Sequence, residues 1–234
     1  MLLQKLLPAD GGIIYAETDL NNLFPEPLNM ISAGFFVVMA VYWIMKLNGY
    51  SKNHKILSIG SYILLIGSVG GTIYHGFRLH PFFILMDWLP ILILCTYITV
   101  YFWAKVLKNW LYALIVLSVF VTVEAVAYKM LSATDMNLAN NVNYALIVIS
   151  AICPLGLYLQ QTRFIFGKWV FISIGFFCIA LFFRIADSWN LIHTGTHFLW
   201  HTFGVLATQA IFLYLYKGKL KRIQAEAALQ SYTS

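Results

Sequence analysis

Charge is what this chain has least of. Asp, Glu, Lys and Arg make up 10% of its 234 residues, against roughly 25% in a soluble domain. With 61% hydrophobic residues and a mean hydropathy of +0.77, the composition excludes a soluble globular domain and points to a polytopic membrane protein. Cysteine is also scarce. Cys95, Cys153 and Cys178 all fall inside apolar runs, where cysteine behaves as a small hydrophobe, so neither a disulfide framework nor a thiolate metal site is expected. Internal repeats, low-complexity stretches and loops long enough to fold separately are missing, so one domain over 1–234 is expected. The first 27 residues are polar and acidic, which does not fit a cleaved signal peptide.

What the chain has in abundance is long apolar runs. Seven segments, 28–46, 56–77, 83–103, 110–130, 142–160, 168–187 and 195–216, approach the ~20 residues that a helix needs to cross a bilayer. The expected fold is an all-α seven-transmembrane helix bundle, with Pro154 kinking the fifth helix. Lys46, Lys52, Lys55, Lys105, Lys108, Arg163, Lys168, Lys217, Lys219, Lys221 and Arg222 would share one side. They are eleven of the fifteen basic residues, and the positive-inside rule places them in the cytoplasm. Residues 1–27 are then extracytoplasmic, and 217–234 form a cytoplasmic tail suited to anionic headgroups. The charge of +6 reads as a topology signal split among short loops, and no nucleic-acid partner is expected.

The seventh segment opens with His193-Thr-Gly-Thr-His197-Phe-Leu-Trp-His201. Ionisable residues are costly in hydrocarbon and mark functional sites there. His197 and His201 lie four residues apart, on one helical face, a spacing that suits two nitrogens on one zinc ion at about 2.0–2.1 Å. His193 and His201 are about 12 Å apart along a helix axis and cannot share that ion. His193 is therefore expected at the rim or behind the ligands. A third ligand must come from another helix, and His75, near the outer end of the second span, is best placed. Asp87, one turn into the third span, lies at the same depth.

Three histidines with one open position make a catalytic type of zinc site, because structural zinc is normally closed by four protein ligands. Zinc lowers the pKa of its water toward neutrality, and Asp87 would orient that water and take its proton. Thr72 and Ser68 share a helical face with His75 and are the expected hydroxyl donors to an oxyanion. A polar cluster that merely locks helices together is the competing reading. It suits Arg184 and Asp187, paired at i and i+3 behind the ligands.

These stretches resemble the alkaline ceramidase family, its bacterial members in particular. Gly195-Thr-His197-Phe-Leu-Trp-His201 is similar to that family's last-helix signature. Tyr74-His75 followed by Asp87-Trp-Leu-Pro90-Ile91 is similar to its second- and third-helix motif. Glu26-Pro-Leu-Asn29-Met-Ile-Ser32 resembles the start of its first helix, Tyr15-Ala-Glu17 the element before that, and Arg184-Ile-Ala-Asp187 the end of its sixth. The resemblance runs from about residue 15 to 201.

It implies zinc on His75, His197 and His201, assistance from Asp87, and hydrolysis of the ceramide amide to a sphingoid base and a fatty acid. Some relatives also carry calcium near the N-terminus, where Glu17, Asp19 and Glu26 would offer hard oxygen ligands. Three features depart from the pattern: Gly71 stands where the family usually has serine, the step of twelve residues from His75 to Asp87 is one longer than the family's, and Ile14 stands where it has a leading aspartate. The substrate stays open between ceramide and another N-acyl lipid, and the oligomeric state is not encoded. A zinc-containing receptor or structural protein like the adiponectin-receptor and hemolysin-III branch is the alternative. A proton or ion transporter would want polar residues through the whole membrane depth, whereas here they gather in one half.

Overall fold

The computed structural model describes residues 8–233, and among these the regular secondary structure is all helical. Residues 1–7 of the expected outer segment, and Ser234 of the expected tail, lie outside the described residues. Seven long helices follow in order: α1 (Pro27–Lys46), α2 (Lys55–Phe77), α3 (Pro81–Leu107), α4 (Trp110–Ser132), α5 (Met136–Gln161), α6 (Gly167–Ala186) and α7 (His197–Thr233). Each is long and apolar enough to cross a membrane, the pattern of a multi-pass membrane protein. A helix suits that setting because its backbone groups bond within the segment. Large apolar side chains such as Val38, Ile66 and Phe171 point outward, as a surface facing hydrocarbon requires.

Two boundaries differ most from the sequence expectation. The connection expected over 131–141 is a tight turn, because Asp135 accepts the Leu138 N–H at 3.0 Å and starts α5 early. The segment after Tyr216 continues α7 to Thr233, and its Ala, Glu, Gln and Leu residues are good helix formers. Pro90 and Pro154 lie inside α3 and α5.

The chain divides into two compact units, one holding the residues up to Ile91 and from Phe166 onward, the other Leu92–Ile165. In the second unit α4 packs on α5, and Phe102 meets Tyr158 with ring centroids 5.6 Å apart. A cavity of about 150 Å³ there is lined by Thr96, Val121, Glu124 and Ser150 among others.

In the first unit α1 lies against α2 and α7, and α6 against α7. Interhelical hydrogen bonds tie these pairs: Trp43 Nε1 donates to Gln209 at 2.8 Å, and Ser173 Oγ to the Ala207 carbonyl at 2.8 Å. Gly67, Gly70 and Gly71 bring α2 against the start of α3. A β-carbon on Gly67 would stand 3.0 Å from Pro90, one on Gly70 would collide with Met86, and one on Gly71 with Asp87. Small residues at such spacing let helices approach where no hydrophobic force drives them together.

Candidate metal centre

His75 sits near the end of α2, and His197 and His201 open α7. All three are buried, and one ligand atom from each lies within 4.8 Å of the others. The ring centroids are 4.7 Å apart for His197 and His201, 4.9 Å for His75 and His201, and 5.5 Å for His75 and His197. Among the described residues this is the group of histidine, cysteine or acidic side chains arranged to hold a metal.

The hydrogen bonds around the rings settle which nitrogens remain for a ligand. His75 Nδ1 lies 2.5 Å from Glu26 Oε2. A carboxylate accepts, so Nδ1 carries the proton and Nε2 keeps its lone pair. His75 Nε2 is buried and has no hydrogen-bond partner among the described residues. His201 Nδ1 lies 3.2 Å from the Asn29 carbonyl and 3.0 Å from Ser32 Oγ. A carbonyl can only accept, so this Nδ1 is also protonated. His197 Nδ1 is buried and unpartnered among the described residues. Buried polar atoms are nearly always satisfied, and two orphaned imidazole nitrogens facing a third histidine fit a metal ion. Neutral imidazole oriented by a carboxylate or carbonyl on its far nitrogen is the usual state of a metal-ligating histidine.

Local structure explains how the sequence delivers these rings. Asp187 follows α6, and its Oδ1 accepts the N–H of Thr196 at 2.7 Å and of His197 at 3.0 Å. It thereby satisfies donors that the start of α7 would otherwise leave bare. Its Oδ2 accepts the Ala16 N–H at 3.2 Å. Gly195 has φ +68, and a β-carbon there would collide with Asp187, so the turn requires glycine for both conformation and space. Tyr15 lies on His197, with centroids 3.9 Å apart at 29°, and stands 5.4 Å from the His75 ring. Burial pushes the Tyr15 phenol well above its usual pKa, so it stays an O–H donor at neutral pH.

No protein-family model matches the chain, and no curated protein does.

Asp87 is brought to the same face of α2 as His75, since its carboxylate abuts Gly71, one turn before that histidine. Thr72 Oγ1 donates to the Ser68 carbonyl at 2.7 Å, and Ser68 Oγ to the Leu65 carbonyl at 3.1 Å. Both hydroxyls serve their own helix. Arg184 lies over the Trp200 ring at 5.3 Å, and His193 is exposed in the turn before α7.

The three carboxylates considered for calcium have separate duties. Glu17 accepts the Leu28 and Asn29 N–H groups at 2.5 and 2.9 Å, placing a negative charge at the start of α1. Asp19 accepts from Asn21 and Asn22 in an exposed turn. Glu26 is buried among His75, Arg78 and Thr18. Among the described residues these three carboxylates are not brought together as one ligand group.

Several functional contacts escape the sequence. Asp10 and Arg78 have no role in it, although a His75-x-x-Arg78 spacing places both on one helix face. Ser32 and Asn29 appear only inside a motif, yet both touch His201. The Gly67-x-x-x-Gly71 spacing was a legible signal for the close α2–α3 approach.

Proposed function

We propose that this chain is an integral-membrane zinc-dependent lipid amide hydrolase of the ceramidase type. Its N-terminal segment and metal site face the extracytoplasmic side, and its C-terminus lies in the cytoplasm. The observation that carries this is the convergence of His75, His197 and His201, buried, with two ring nitrogens left without partners. The stretch Glu26-Pro-Leu-Asn29-Met-Ile-Ser32 adds support, because Glu26 contacts His75 and both Asn29 and Ser32 contact His201.

His75, His197 and His201 would hold the ion, as three protein ligands with one position open to water or substrate. When bound, zinc supplies an activated water and polarises a carbonyl. Asp87 accepts a proton from the attacking water, whose oxygen bonds to the amide carbon, and returns it to the nitrogen as the C–N bond breaks. Fatty acid and a free amine are the products. Thr72 and Ser68 are turned to carbonyls, so the hydroxyl that this arrangement favours for the developing oxyanion is that of Tyr15. Fatty-acid release from a panel of N-acyl lipids, ceramides included, by purified protein of quantified zinc content tests the reading. Zinc-dependent release is expected. One zinc per chain with no release from any lipid would move the assignment to the receptor or structural class.

A further inference from the structure

We propose that Arg78 is a positioning residue for the metal centre, acting through a buried chain that runs Asp10–Arg78–Glu26–His75. This rests on the metal-site reading above and extends it to residues outside the ligand set.

Arg78 ends α2 in the left-handed conformation, φ 52, and its N–H donates to the Tyr74 carbonyl at 3.0 Å. A residue with a side chain adopts that conformation at a cost, so its placement must be held by something. The guanidinium supplies that hold. Nε and Nη2 grip Asp10 at 2.6 and 3.0 Å, while Nη1 binds Glu26 Oε1. The Tyr74 ring lies 4.8 Å from it. Gly12 passes so close that a β-carbon would meet Tyr74 Oη at 2.6 Å and Arg78 Nη2 at 3.1 Å.

The charges on this chain decide its consequence. Asp10, Glu26 and Arg78 are all buried, and two carboxylates against one guanidinium leave one negative charge. That surplus faces His75 Nδ1 through Glu26 Oε2 at 2.5 Å. Thr18 Oγ1 donates to Glu26 Oε1 at 2.6 Å, so the carboxylate cannot swing away from either partner. A fixed carboxylate on Nδ1 fixes the proton there, orients the ring and raises the basicity of Nε2. The planar fork of arginine can hold two carboxylates at once, which an ammonium cannot do with the same geometry. A plain staple between the N-terminal segment and α2 would need Asp10 and Arg78. It would not need Glu26 to share its carboxylate between the guanidinium and a ligand ring.

The test compares wild type with Arg78→Met in detergent, measuring zinc affinity by chelator competition, the visible spectrum of cobalt-substituted protein, and thermal melting. Removing a partner behind a metal ligand typically costs about 10–100-fold in affinity. The expected result is a loss of tenfold or more in zinc affinity with an altered cobalt spectrum. Arg78→Met strands two buried carboxylates, so the same measurements are made on Asp10→Asn/Arg78→Met, which removes one of them and keeps the surplus charge. It should bind zinc as weakly, because Glu26 has still lost its guanidinium. Wild-type affinity and spectrum in the folded variants, with only the melting temperature lowered, would overturn the proposal and leave a staple. A wild-type protein that takes up no zinc or cobalt would overturn the metal reading itself, and this inference with it.

Discussion

The carboxylate of Asp87 occupies the space that a β-carbon on Gly71 would need. Gly71 lies one turn before His75 on α2, so the missing side chain lets a carboxylate from α3 reach the face that carries this histidine. The glycine at this position, where the resemblance calls for serine, is thus matched by a neighbour. Space given up by one helix is filled by the acid of the next.

Gly71→Ser should therefore damage the site instead of repairing it. The new side chain must displace Asp87 or push α3 outward, and a shift of about 1 Å in a reacting group can cost roughly 10²-fold. Turnover is expected to fall by about that factor while zinc stays bound. Metal analysis and fatty-acid release on the purified variant check it, and activity at or above wild type would contradict the assignment of Asp87.

Ligand and base roles separate in a second set of variants. His197→Ala should lose both zinc and turnover, and Asp87→Asn should keep zinc and lose turnover. His193 is exposed, so His193→Ala should keep stoichiometric zinc and most activity. Metal content read beside activity distinguishes the three, and loss of zinc from the His193 variant would reject the ligand set.

The ring and the hydroxyl of Tyr15 can be removed separately by two substitutions. Tyr15→Phe keeps the ring on His197 and removes only the hydroxyl, so zinc content should hold. Turnover should fall by about 10²–10³, the usual cost of one oxyanion donor. Tyr15→Ala removes the stacked ring as well and should also weaken zinc retention. Unchanged turnover in Tyr15→Phe would return the donor role to Thr72 or Ser68.

Asp187 should matter to stability more than its surface-like sequence setting suggests. Asp187→Ala strands the Thr196 and His197 N–H groups, a loss of about 1 kcal/mol by analogy with helix caps. It should lower the melting temperature and loosen zinc, since His197 is the first residue of α7. Thermal melting with and without added zinc measures both effects. Gly195→Ala should act in the same direction by colliding with Asp187.

Much of this protein was legible in the chain. Seven apolar runs of spanning length fixed seven helices, because hydrocarbon leaves the backbone no alternative way to satisfy its hydrogen bonds. The i, i+4 spacing of His197 and His201 fixed their shared face, because helix geometry alone dictates it. His75 was within reach of depth arguments. The ends of α4, α5 and α7 were not, since turn chemistry at Asp135 and the propensity of a polar tail decided them locally.

Partnership between distant segments is what the sequence leaves open. Glu26 has equal claim, as a lone acidic residue, to a calcium site or a histidine. Only the return of α2 beside the start of α1 commits it to His75 and Arg78. Nothing around Asp10 marks it as the other end of that chain, and its partner lies 68 residues on. Thr72 and Ser68 share the correct face, yet their hydroxyls turn to carbonyls within one helix. Periodicity determined which residues each helix presents, because it follows from one segment's geometry. Which buried charge meets which was decided only by the tertiary structure, because a desolvated group must take whatever complementary partner the packed helices bring within hydrogen-bond reach.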